Sequence, residues 1–175
     1  EFQIYANLEK VMEVFQVDPQ RGLNATLCHE QGHRFCPFDT ITAILLNRAV
    51  KKGLDGIAVP YKIDTASKLI TNLFTDMSIN TVLARKGNKE IIWIYQQLSK
   101  DKQESRLWRV YGKSMDLAWN IQVLPDETKV ISEELEAAQK LAALFKKDVL
   151  DKSTWHEKIQ RYAGIIGKFL DKEQE

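Results

Sequence analysis

Residues 64–95, DTASKLITNLFTDMSINTVLARKGNKEIIWIY, decide the fold. Asp64 suits a helix N-cap, and Leu69, Ile70, Leu73, Phe74 and Met77 follow on one face, which predicts a helix over 64–77. Beyond it the β-rich runs TVLAR and EIIWIYQ flank Lys86-Gly87-Asn88-Lys89. A Gly-Asn turn between two such runs predicts a β-hairpin over 81–95. That hairpin makes the chain α+β, predominantly helical.

The flanks read as helices and loops. Ile4, Leu8, Val11, Met12 and Phe15 keep helical spacing, so a helix is expected over 3–16, ending before Asp18-Pro19. Pro19, Gly22, Asn24 and Gly32 interrupt the next twenty residues without any period, which reads as an ordered loop. Pro37 and Asp39 then open a helix over 37–52, stopped by Gly53, and LDGIAVP at 54–60 suits a brief strand or extended connection. Residues 103–119 carry Leu107, Val110, Tyr111 and Met115 at helical intervals. Residues 132–147, with a segment opened by Ser153, form an antiparallel helical hairpin. The expected organisation is a helical domain over 1–120 carrying the 81–95 hairpin, followed by a C-terminal helical hairpin over 121–175 packed on it.

Composition excludes several function classes. With 25 Lys+Arg against 24 Asp+Glu the chain is neither a polybasic tail nor an acidic mimic. No apolar run approaches the ~20 residues needed to span a bilayer, so no membrane partner is expected. Two cysteines are too few for a disulfide framework, and 175 residues bury a core without one, so a soluble cytoplasmic protein is expected. GxxxxGK[ST], GxGxxG after a strand, HExxH and GxSxG are all read as absent. Glu133-Glu134 read as the charged start of a helix.

One cluster carries metal chemistry. Cys28, His29, His33 and Cys36 fall within the nine residues CHEQGHRFC, and thiolate and imidazole are the donors that Zn(II) prefers. Cys28 and His29 are adjacent and point apart in an extended loop, which leaves Cys28, His33 and Cys36 as the expected ligands, with His156 or Asp39 as a fourth. The same residues have three other readings. In the first Cys36 at a helix start beside His33 is an activated thiol, in the second Cys28 and Cys36 form a disulfide, and in the third Cys36 is a buried packing residue while the histidines are loop residues bonded to backbone.

A second constellation concerns nucleic acid. Helix 37–52, a short extended piece, helix 64–77 and hairpin 81–95 stand in the order of a winged-helix domain, whose second helix enters a major groove while the hairpin tip meets phosphates. Lys68, Thr71 and Asn72 on the helix and Arg85, Lys86 and Lys89 at the turn are the expected contacts. Between Ala84 and Lys113 eight cations face three anions on a chain of total charge +1, which adds Arg106 and Arg109, with Trp108 and Tyr111 placed to stack on bases. The favoured function is therefore a non-enzymatic nucleic-acid-binding or regulatory protein. The alternative is a protein-interaction or scaffold module whose C-terminal helices pack on a partner or on a second copy, and a thiol-dependent enzyme comes third.

Overall fold

The computed structural model describes residues 15, 16, 18–33 and 40–171. Among them every regular element is helical: α1 (Pro19–Gly32), α2 (Thr40–Gly53), α3 (Ile63–Arg85), α4 (Lys89–Asp101), α5 (Arg106–Trp119), α6 (Ser132–Leu144) and α7 (Lys152–Ile166), ending in a 3-10 turn at Gly167–Phe169. The expected α+β class is thus wrong, because the described residues form no strand. The expected helix over 3–16 lies outside the described residues except for Phe15 and Gln16, which form a turn. Residues 54–60 are an irregular connection.

The hairpin fails for a local reason. Gly87, at φ +79°, ends α3: its N–H reaches Ala84 O at 2.9 Å and the Asn88 N–H reaches Leu83 O at 3.1 Å. This paired closure uses a left-handed residue that glycine tolerates. Asn88 then caps α4, its side-chain oxygen accepting from the N–H groups of Glu90 and Ile91, each at 3.1 Å. One Gly-Asn pair therefore stops one helix and starts the next. The β-branched residues obey the same logic, since Ile91 and Ile94 are buried and Tyr95 and Leu98 pack beside them, a helical spacing.

The expected loop over 17–36 is also corrected. Asp18 accepts from the Arg21 N–H at 2.9 Å and Pro19 occupies the first helical position, so Asp18-Pro19 opens α1. At its start α1 is tied to α4 by Arg21 Nε on Glu90 Oε2 at 2.7 Å, with the guanidinium over Trp93.

The 23-residue α3 runs through the middle of the molecule and touches α1, α2, α4, α5 and α7. Ile70, Phe74 and Met77 are fully buried, and Phe74, Phe145 and Tyr162 stack with centroids 5.5–5.9 Å apart. Ser67, Thr71 and Ser78 are buried too, and their hydroxyls donate to the carbonyls of Asp64, Ser67 and Phe74. That local satisfaction lets a helix with polar residues sit inside a core. Around it α7 lies on α2 and α6 on α5, and one apolar cluster runs from Leu46 to Leu170.

Candidate metal centre

Residues 29–33 spell His-Glu-Gln-Gly-His, which is HExxH, so the reading that this motif is absent is wrong on the sequence itself. Its place in the fold is helical. A loop would scatter these residues, whereas on α1 the two histidines stand four positions apart on one face, with ring centroids 5.0 Å apart.

Close packing brings this face to α3. A Cβ placed on Gly32 would lie 2.4 Å from Ile79 Cγ2, so only glycine lets α1 approach α3 to this distance. Across the contact His29 Nε2 is 3.5 Å from Asp76 Oδ1 and 3.3 Å from His33 Nε2. One donor atom from each of the three residues lies within 4.8 Å of the others. Zinc bonds of about 2.0–2.1 Å put the edge of a coordination tetrahedron at about 3.3–3.4 Å, so both measured separations match it.

The second nitrogen of His29 fixes the chemistry of the first. The Asn80 amide donates to Tyr95 Oη at 2.7 Å, which turns its Oδ1 to His29 Nδ1 at 2.9 Å and favours the tautomer with the proton on Nδ1. Asn80 is fully buried one turn beyond Asp76. With its proton on Nδ1, a neutral His29 presents a bare Nε2 lone pair to a carboxylate oxygen and to a second imidazole nitrogen. Three electron-rich atoms then converge on a point that calls for a cation, and the Asn80 contact is the kind that orients a metal-ligating histidine. The polar line continues inward through Tyr95, whose phenol is pushed well above its ordinary value by burial and then by the Asp76 charge, and which bonds Tyr111. Tyr162 Oη, also buried, has no hydrogen-bond partner among the described residues.

The charge state of the pair is asymmetric. Burial pulls His29 down, but the Asp76 hydrogen bond and charge and the Asn80 bond outweigh it and lift the imidazole above its ordinary value. Burial and the neighbouring His29 hold His33 below it. Glu30, on α1 between the histidines, contributes negative charge to both.

His33 opens on a cleft of about 600 Å³ between α2 and α3, lined also by Ala43, Asn47, Tyr61, Thr65, Lys68, Leu69, Thr71, Asn72 and Thr75. Lys68, Thr71 and Asn72, expected at nucleic acid, are therefore cleft residues. Thr71 is buried, its hydroxyl within reach of Asn47 Oδ1 and Ser67 O.

The other expected residues lie elsewhere. Arg85 donates to Ala118 O and Lys146 O, tying the end of α3 to α5 and to the chain after α6, while Lys86 and Lys89 are exposed at the α3–α4 corner. Arg106 pairs with Glu133, and Arg109 grips the fully buried Glu134 with two bonds of 2.7 and 3.0 Å. Trp108 and Tyr111 are buried, with the Trp108 indole N–H on Ser99 Oγ. With the hairpin gone, the winged-helix geometry that would unite helix and turn on a duplex does not form.

Of the expected metal ligands, His33 belongs to the cluster. Cys28 is a free, half-buried thiol packed against the core. Cys36 and Asp39 lie outside the described residues, and His156 is exposed on α7. His29 and Asp76 are the ligand candidates missed. HExxH was the available signal for His29, whereas Asp76, 43 residues further on, has no sequence mark. Among the described residues no helix is long and apolar enough to cross a membrane. Comparison with protein-family models, curated proteins and solved structures finds no match.

Proposed function

We propose that the protein is a zinc-dependent hydrolase of the HExxH kind acting on peptide bonds. His29, His33 and Asp76 hold the ion, Asn80 orients His29, and Glu30 is the general base. The observation that carries this reading is the convergence of three donors within 4.8 Å of one another, two from a helix that bears HExxH and one from α3, with the two separations from His29 near a tetrahedral edge, beside an open cleft. Two imidazoles and a carboxylate leave a fourth position for water or substrate, the arrangement of a catalytic zinc site. Zinc there supplies Lewis-acid polarisation of the scissile carbonyl and lowers the pKa of water toward neutrality. Glu30 accepts a proton from the attacking water as the C–O bond forms. It returns that proton to the amine nitrogen as the C–N bond breaks, which leaves a carboxylic acid and an amine; transfer of the remaining acid proton to the amine gives carboxylate and ammonium at neutral pH.

The test has two arms. Protein dialysed against zinc and freed of excess should hold close to one equivalent, and His29→Ala or Asp76→Ala should hold none. The zinc form should cleave a mixed library of quenched fluorescent decapeptides, and Glu30→Gln should bind zinc normally while losing cleavage by a factor of at least about 100. Zinc bound equally well by His29→Ala would overturn the site, and cleavage that survives Glu30→Gln would overturn the mechanism.

A further inference from the structure

Cleft residues Thr65, Lys68, Leu69, Asn72 and Thr75 come from a single stripe of α3, and Asp76 stands at its end four positions beyond Asn72. The cleft is thus a track that starts at the candidate metal and runs along the helix. Its walls are mostly uncharged, and among its described lining residues the one cation besides the histidine is Lys68. Nearby Asp64 makes its ion pair with Lys51 at 2.5 Å and feels Lys68 only as a lesser, more distant charge. Asn72, between Lys68 and Asp76, is exposed and suited to bond a peptide backbone group.

Eight residues separate Lys68 from Asp76, a rise of about 12 Å along the helix. An extended peptide covers this in three to four residues at about 3.3–3.6 Å each. Resting on the hydrolase reading, we propose that Lys68 is a specificity-determining residue that selects peptides bearing a carboxylate three to four residues from the bond cleaved. That carboxylate is either an Asp or Glu side chain or the chain terminus.

The test uses the zinc-loaded protein and quenched peptides in five versions: Glu, Gln or Lys at that distance, and a Gln peptide ending there as the free acid or as the amide. Wild type should prefer the acidic member of a pair by about threefold to fivefold in kcat/KM, as an exposed ion pair supports. Lys68→Ala should abolish the preference and Lys68→Glu should invert it toward a Lys peptide, with zinc content unchanged. The Glu/Gln pair reports a side-chain carboxylate and the acid/amide pair a terminal one. Glu30-dependent cleavage with a preference untouched by both Lys68 variants would overturn this proposal and leave the hydrolase standing. Absence of any Glu30-dependent cleavage would overturn both. Finally, a dT oligomer that displaces labelled peptide from Glu30→Gln in a Lys68-dependent way would assign the cleft to nucleic acid instead.

Discussion

Gly32→Ala isolates the close approach of α1 to α3. The new methyl would lie 2.4 Å from Ile79 Cγ2 and 3.2 Å from Leu83 Cδ1. Carbon atoms prefer about 3.5–4.0 Å, so the helices must part by roughly 1 Å or Ile79 must leave its rotamer. Ile79 is buried and branched at Cβ, so separation is the easier response. Overpacking of this kind costs about 1–3 kcal/mol, offset by about 1 kcal/mol because alanine is the better helix former. The net loss in urea denaturation should therefore be about 0–2 kcal/mol, and the fold should survive. Zinc should respond more strongly. Widening the 3.5 Å His29–Asp76 separation by about 1 Å takes it off a tetrahedral edge, so affinity measured against a chelating indicator should fall at least tenfold, about 1.4 kcal/mol. Ile79→Ala removes the clashing methyl and leaves Ile79 Cβ at 3.8 Å, an ordinary contact. Added to Gly32→Ala it should restore zinc affinity, and the double-mutant cycle should show a coupling of about 1–3 kcal/mol. Unchanged affinity in Gly32→Ala, or no recovery in the double variant, would refute the argument that this glycine sets the site.

Other outcomes follow from residues already placed. Asn80→Leu should lower zinc affinity about 10–100-fold at constant stoichiometry, by freeing the His29 tautomer, and titration calorimetry would read it. Arg109→Met should cost about 3–5 kcal/mol in urea denaturation, because it strands the buried Glu134 carboxylate. In the native protein burial raises Glu134, but Arg109, the Ile131 N–H and Arg106 outweigh it, and the net pKa is lowered. Its contribution is accordingly full above the unfolded value of about 4.3 and drains as pH falls through the folded value, a loss that acid titration of Arg109→Met should lack. Leu141→Asp should destabilise by about 4 kcal/mol or more, since Leu141 is fully buried between α6 and its neighbours, and a melting temperature within a degree of wild type would contradict that burial.

The amphipathic stretches at 40–53, 106–119, 132–144 and 152–166 are legible because their apolar residues recur at helical intervals and their ends carry caps. The two places where expectation failed share one cause: short signals with two structural meanings. Gly87-Asn88 serves equally as a hairpin turn or as the close of one helix and the cap of the next, and β-branched neighbours tipped the reading toward strands. Asp18-Pro19 likewise reads as an end or a beginning, and taking it as an end hid α1, whereas the HExxH at residues 29–33 was legible in the sequence and overlooked. Asp76 and Asn80 were illegible for a different reason. They look like ordinary polar residues of α3, and their partnership with His29 exists only after two helices distant in sequence have packed.

α1 carries both histidines, yet its buried Ala25 belongs with Phe15 and Ile94 to a small apolar cluster separate from the main one. Although Cys28 and Gly32 also touch the main core, an element anchored at one end by so small a cluster is expected to open at a free energy below that of global unfolding. Its amides should accordingly exchange with solvent by a subglobal route, while those of α3 wait for the whole molecule to unfold. A cation bridging His29 and Asp76 would fasten this flap to the body, slowing exchange in α1 selectively and making catalytic readiness and local order the same equilibrium.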